Sequence, residues 1–186
     1  MRVVGGRLRG RAIASPRSSA IRPTADRLRE ALFNILEHGH DDPVTGARVL
    51  DLFSGTGALG IEAGSRGAGF VLFVDDGAEA RALLRENVET LGLGGATRIF
   101  RRDATKLGAV HPNEPFSLVF ADPPYAKGLA EKALASARAG GWFAPGALVI
   151  VEEAVAAGFA CPPGFAEIER RAYGETEFTI LRADGP

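Results

Sequence analysis

From residue 48 onward, short apolar runs alternate with longer segments in which apolar residues recur every three or four positions. The runs Arg48–Leu52, Phe70–Asp75, Thr97–Arg102, Phe116–Ala121 and Ala147–Glu152 predict five strands. They are nearly continuous in apolar residues, which suits parallel strands covered on both faces. Between them, residues 57–66, 78–91 and 129–138 predict helices. At the end, Ala166–Ala172 and Thr176–Leu181 flank Tyr173-Gly174-Glu175 and predict an antiparallel hairpin. Ahead of the alternation, Leu28, Ala31, Leu32, Ile35 and Leu36 fall on one helical face. Thr24 suits that helix's N-cap, Asp26 its first turn and Gly39 its end. Residues 1–14 predict two short strands around Gly5-Gly6 and Gly10, and residues 15–23 a loop. Trp142-Phe143, in a Gly/Pro-rich segment, is expected to pack over the sheet edge. The expected organisation is α/β: a single domain over 1–186, with a core at 48–182 and a basic hairpin-and-helix appendage at 1–40.

The charge distribution adds an asymmetry. Residues 1–30 hold eight arginines (2, 7, 9, 11, 17, 22, 27 and 29) against Asp26 and Glu30, a surplus of +6, while the rest of the chain carries −7. A basic arm on an acidic body points to a polyanion partner met mainly by the arm. Arg27 and Arg29 fit either RNA contact or a merely solvated helix face. With 186 residues the chain can bury roughly 70% of its unfolded surface. Cys161 is the single cysteine, so no intramolecular disulfide can form, and a reducing compartment fits. No apolar run approaches the roughly 20 residues of a membrane span, and Met1–Gly6 lacks a signal peptide's apolar stretch. The expectation is a cytoplasmic protein without a membrane partner.

Asp51-Leu52-Phe53-Ser54-Gly55-Thr56-Gly57-Ala58-Leu59-Gly60 follows the first core strand and opens a helix. Gly55, Gly57 and Gly60 satisfy G-x-G-x-x-G, and Asp75 closes the second strand 20 residues after Gly55. Such glycines let a backbone approach a ligand, and the acid can chelate ribose hydroxyls. Those functions serve any adenosine cofactor. Asp51 would face a pyrophosphate unfavourably but suits a cation such as the ammonium of a methionine moiety. Asp103-Ala104, after the third strand, offers a carboxylate for an exocyclic amine and an N–H for a ring nitrogen. The plain alternative is a tight turn with Asp51 capping a helix.

Asp122-Pro123-Pro124-Tyr125 ends the fourth strand. Two prolines fix two φ angles and remove two donors, and Asp122 is pushed out of the helical region. A carboxylate, free carbonyls and an aromatic ring on one rigid turn can grip a planar group bearing an amino substituent, such as a nucleobase. His38 and His40 read as a helix-end pair, not a metal site, and no metal ligand set is expected. Glu152-Glu153 could flank the base pocket, but reads better as a solvated strand end.

With these motifs the chain resembles the class I, S-adenosylmethionine-dependent methyltransferases across residues 48–182. The Asp-Pro-Pro-Tyr box narrows the resemblance to enzymes that methylate amino nitrogens. Arg22-Pro23-Thr24-Ala25-Asp26-Arg27-Leu28-Arg29-Glu30-Ala31-Leu32-Phe33-Asn34, the Arg/Gly-rich start and Tyr173–Thr176 make it similar to the RsmD-type guanine-N2 methyltransferases of 16S ribosomal RNA. The resemblance implies a Rossmann-like, seven-stranded, mostly parallel sheet with helices on both faces and the seventh strand antiparallel. It implies S-adenosylmethionine over the glycine loop, leaving S-adenosylhomocysteine, with Asp51, Phe53, Ser54, Gly55, Thr56, Gly57, Gly60, Asp75, Asp103 and Ala104 around it. Asp122, Pro123, Pro124 and Tyr125 would hold the base. Arg7, Arg9, Arg11, Arg22, Thr24 and Arg27 would hold 16S ribosomal RNA, within a protein-bound small-subunit particle met by a monomer. A DNA adenine-N6 methyltransferase shares the box but usually adds a recognition segment for which this chain has little room. An NAD-dependent oxidoreductase would leave the box unexplained, and a non-catalytic RNA-binding module would explain the arm alone.

Overall fold

In the computed structural model, which describes residues 1–16, 25–125 and 127–185, seven strands form one sheet. They are β1 (Arg48–Leu52), β2 (Phe70–Asp75), β3 (Thr97–Arg101), β4 (Phe116–Ala121), β5 (Phe143–Ala154), β6 (Phe165–Tyr173) and β7 (Thr176–Ala183). Their order is β3-β2-β1-β4-β5-β7-β6. The first five are mutually parallel, and β7 runs antiparallel to both β5 and β6. β1 lies between β2 and β4, with Leu50 beside both Leu72 and Val119. The order reverses at β1, and open α/β sheets hold ligands beyond the carboxyl ends of the strands at such a point.

Side chains alternate across the sheet, as the pleat requires. Val49, Phe73, Leu118, Phe120 and Ile150 face one layer, built from α1 (Asp26–Gly39), α2 (Ala58–Ser65) and α3 (Ala78–Thr90). Leu50, Val74, Val119 and Val149 face the other, where α4 (Leu129–Ala139) lays down Ala130, Ala133, Leu134 and Ala137. The small residues of α4 let its backbone approach the strands closely. β6 is an edge strand and is mostly exposed, with Glu167, Glu169, Arg170 and Arg171 along it. Charge on an edge discourages pairing with another chain.

Three predictions about the sheet change. Trp142 is not at the edge. It is fully buried, stacks on Phe116 with ring centres 5.9 Å apart, and donates its indole N–H to the Gly108 carbonyl at 2.8 Å. Phe143 opens β5. That strand also runs on to Ala154, because β7 pairs with it as far as Ala154 beside Thr176. Glu152 and Glu153 are therefore buried, at 4% and 2% exposure, not solvated.

Residues 1–14 are held both by one another and by the helices of the core. The two predicted strands reduce to one bridge, Arg2 with Ala12. Val3, Gly10 and Ile13 donate within the arm, to the Arg11, Val3 and Met1 carbonyls at 2.9, 2.8 and 2.9 Å, while other N–H groups go to α2 and α3: Val4 to Glu62 Oε2 (3.0 Å), Leu8 to Ser65 Oγ (2.9 Å), Arg7 to the Ser65 carbonyl (2.9 Å), and Ala14 to Asn87 Oδ1 (2.7 Å). Gly5-Gly6 permits this docking. A Cβ on Gly6 would lie 2.1 Å from the Ser65 carbonyl oxygen, at a φ of +73°.

The first helix starts at Asp26 with Ala25 at its N-cap, without a side-chain cap bond. Thr24, the predicted cap, lies outside the described residues. The predicted face is only partly right. Leu32, Ile35 and Leu36 are buried with Phe33, while Leu28 and Ala31 are half-buried. Arg29 is fully buried. Its guanidinium donates to the Arg2 carbonyl and, at 2.9 Å, to Asp26. Partial burial pushes the Asp26 carboxyl up, but the Arg2 N–H and the Arg29 guanidinium outweigh it and hold it below its ordinary value. Arg27, two residues away, is exposed. Arg29→Ala is thus expected to lower stability by about 1–3 kcal/mol, since it takes the buried donor from the Arg2 carbonyl and removes a fully packed side chain. Arg27→Ala should unfold near the wild-type midpoint. Chemical denaturation of the two variants checks the contrast.

Candidate active site

The loop from Asp51 to Gly60 is shaped by close approach. Phe53 and Gly55 have left-handed φ values of 55° and 57°. Ser54 turns back to β2, donating its N–H and hydroxyl to the Val74 carbonyl at 3.1 and 3.2 Å. Gly57, at φ 83°, is the N-cap of α2, so the helix begins one residue later than predicted. A Cβ on Gly60 would lie 2.4 Å from the Phe73 ring and 2.8 Å from Val71. That glycine therefore lets α2 sit directly on β1 and β2. Thr56, 3% exposed, gives its carbonyl to Asn87 Nδ2 at 2.9 Å.

Asp51 reaches into this contact. It is 1% exposed and accepts the Gly60 N–H at 3.0 Å. Burial pushes its carboxyl well above the ordinary carboxylate range. The Gly60 bond opposes that shift and the nearby charge of Asp75 adds to it. Asp75 itself accepts from the Gly55 N–H at 2.9 Å and the Gly77 N–H at 2.8 Å, one on each oxygen. It thus fastens the glycine loop to the end of β2. Beyond β3, Asp103 accepts the N–H and hydroxyl of Thr105 at 2.8 and 2.7 Å on Oδ1, and those two bonds hold its carboxyl below its ordinary value. Ala104, next to it, is 4% exposed and starts a single 3₁₀ turn.

Asp122 and the turn after it stand beyond β4, the next strand over. Carboxylates thus mark the carboxyl ends of four adjacent strands, in the order Asp103, Asp75, Asp51, Asp122. With strands about 4.8 Å apart the row spans roughly 14 Å. Asp122 is half-buried, Pro123 buried, Pro124 exposed and Tyr125 half-buried. The Tyr125 hydroxyl donates to Glu152 Oε1 at 3.3 Å and lies 3.2 Å from Thr176 Oγ1. The ring is thereby fixed from β5 and β7. Glu152 was weighed as a flank of the base pocket and set aside, and Thr176 went unnoticed, because only the β5–β7 pairing brings them to the turn.

The basic arm divides. Arg7 and Arg9 have exposed side chains. Arg11 is exposed too, but donates to the Thr90 carbonyl at 2.8 Å, at the end of α3. Arg2 donates to the Gly10 carbonyl, and Arg29 is structural as described. Arg17 and Arg22 lie outside the described residues. Part of the arm's charge therefore holds the arm itself. Asn87, 2% exposed, was legible in the sequence only as one more polar helix residue. It bonds both Ala14 of the arm and Thr56 of the glycine loop. Among the described residues no group of three or more His, Cys, Asp or Glu side chains is arranged to hold a metal ion, and no helix is long and apolar enough to cross a membrane.

This architecture recurs in known proteins. The family described as conserved hypothetical protein 95 matches residues 1–182. Ribosomal RNA small subunit methyltransferase D of Escherichia coli K12 is 39% identical over 186 residues, covering 99% of this chain and 90% of that protein. Its namesake in Haemophilus influenzae is 34% identical over 155 residues, covering 82% and 78%. The solved structure of the yhhF protein of Escherichia coli superposes with a TM-score of 0.83 at 31% identity, covering 100% of this chain and 99% of that one. The seven-stranded sheet is the Rossmann-like methyltransferase fold that the resemblance implied, and the chain belongs to the conserved hypothetical protein 95 family as an RsmD-type methyltransferase.

Proposed function

We propose that the protein transfers a methyl group from S-adenosylmethionine to the exocyclic N2 amino group of a guanine in small-subunit ribosomal RNA. One observation carries the reading. The Asp122–Tyr125 turn stands beside a glycine loop lined by acids, in a chain 39% identical to a protein named ribosomal RNA small subunit methyltransferase D. The base follows from the resemblance, since the turn suits adenine equally. The partner is the ribosomal RNA of a small-subunit particle in the cytoplasm.

The residues fit the methyl donor by charge. Asp51, Asp75 and Asp103 mark the ends of β1, β2 and β3, and Asp75 is close enough that its charge is felt at Asp51. A cation relieves that repulsion, whereas a pyrophosphate would aggravate it. Asp51 would hold the ammonium, Asp75 the ribose, and Asp103 with the Ala104 N–H the adenine, with Phe53–Gly57 and Gly60 forming the cradle. When bound, the donor supplies a methyl group already activated on a sulfonium.

The protein's own task is positioning. A guanine amino group is a poor nucleophile because its lone pair is delocalised into the ring. Asp122 accepts one amino hydrogen and the Pro123 carbonyl the other, so positive charge growing on nitrogen meets fixed acceptors. Pro124 keeps the turn rigid. Tyr125, held by Glu152 and Thr176, presents its ring to the base, a contact worth about 1–3 kcal/mol in single-strand binders. Arg7, Arg9 and Arg27 meet phosphates, with Arg11 beside them on the arm; Arg22 and Thr24, expected in the same role, lie outside the described residues.

Two outcomes test this reading. Asp51→Asn keeps an acceptor for Gly60 but loses the charge. By calorimetry its affinity for S-adenosylmethionine should fall about 10- to 100-fold, the worth of a charged hydrogen bond. Wild-type affinity should also fall as pH drops through the raised Asp51 pKa, because only the ionised carboxylate pairs with the ammonium, while the variant stays flat. Binding of NADH in place of the methyl donor would refute the assignment. Asp122→Ala should retain cofactor binding yet lose about 10²–10³-fold in turnover. The readout is tritium incorporation into unmodified small subunits, with mass mapping of the modified nucleotide. An adenine or a cytosine at that position would overturn the choice of base.

A further inference from the structure

A groove of about 480 Å³ separates α1 from the end of β6. Ala31, Asn34, Ile35 and His38 line one wall, and Arg171 and Tyr173 the other. Its size lies within the range of about 300–1,000 Å³ typical of ligand sites. Three features give it a chemical character. First, Arg27, Ala31, Asn34 and His38 follow one another at helical spacing, so exposed Arg27 continues the α1 wall beyond the groove. Second, Arg171 is held in place: its Nε donates to Glu169, whose other oxygen lies 2.8 Å from His40 Nε2. Third, two of the three acids of α1 are drawn elsewhere, since Glu37 reaches toward Arg66 at 3.8 Å and Asp26 serves Arg29, which leaves Glu30 exposed next to Arg27 and outside the groove lining. The walls thus present an arginine, an amide and an aromatic ring.

The groove also adjoins the catalytic turn. Tyr173 pairs with Thr176 across the β6–β7 hairpin, and Thr176 Oγ1 touches the Tyr125 hydroxyl. We propose that this groove holds a nucleotide of the substrate RNA next to the methylated base, with Arg171 and Arg27 meeting phosphates, and Asn34 and Tyr173 meeting a base. The assignment rests on the ribosomal RNA reading above. It extends the RNA track from the arm along α1 to the C-terminal hairpin.

Charge reversal inside the groove tests it. Arg171→Glu and, separately, Asn34→Glu on the exposed face of α1 are compared with wild type for melting temperature, cofactor affinity and binding of a small-subunit RNA fragment at several salt concentrations. Both variants should fold and bind S-adenosylmethionine as wild type does. Their RNA dissociation constants should rise about tenfold or more, and Arg171→Glu should flatten the salt dependence by about one unit of log–log slope. KM for the subunit should rise in step with kcat little changed. Unchanged RNA affinity in the Asn34→Glu variant overturns the groove, even if Arg171→Glu fails to fold. Weakened binding to assembled particles with intact binding to naked RNA overturns it as well, and identifies a ribosomal protein as the occupant. Wild-type protein that binds the cofactor but methylates no small-subunit RNA refutes the functional reading itself, and the groove falls with it.

Discussion

The contact between the Asp51 carboxylate and the Gly60 N–H fixes how the first helix of the core meets the sheet. For that bond to form, α2 must lie on β1 and β2 with no side chain at Gly60, and the chain must turn through left-handed backbone at Phe53, Gly55 and Gly57 to get there. The acid is buried in consequence, and its proton affinity rises. Asp75 completes the arrangement by tying Gly55 to β2. What reads as a flexible glycine motif is a stretch of backbone held at both ends by carboxylates. Such a loop needs little reorganisation when a ligand arrives, which is the physical meaning of a preorganised site.

The second constraint is the insertion of β7 between β5 and β6. An antiparallel strand there returns the chain to the carboxyl end of β5 and brings Thr176 beside Glu152 and Tyr125. The short C-terminal hairpin is therefore part of the turn's support. It buries Glu152, Glu153 and Glu177, a polar patch that stands where the apolar core gives way to the site.

Sequence pattern located the first four parallel strands to within a residue because their apolar runs are short, dense and flanked by glycine or charge. It failed where burial came from partners distant in the chain. Glu152 and Glu153 look like a solvated end until β7 covers them. Trp142 sits among glycines and a proline, which suggested a surface, yet its ring fills the space under Phe116. Arg27 and Arg29 are alike in composition and two residues apart. Only the Arg2 carbonyl and Asp26, converging from the arm and the helix start, make one of them an interior residue. The site's carboxylates were legible by their place at strand ends. The bonds that hold Asp75 and Asp103 were not, because they come mostly from backbone N–H groups, of Gly55 in the glycine loop and of Gly77 and Thr105 in the turns that follow, with the Thr105 hydroxyl added.

Asn87 carries a thermodynamic consequence. Its carboxamide oxygen serves Ala14 at the end of the arm, and its nitrogen serves Thr56 in the glycine loop. One side chain, nearly shut off from solvent, is shared by the basic arm and the glycine loop. A ligand that tightens either bond holds the amide in the orientation the other requires. Linkage is reciprocal, so any factor by which one ligand strengthens the other's binding is returned unchanged. The fold thus ties the arm to the glycine loop through a single planar group that cannot rotate without breaking with both.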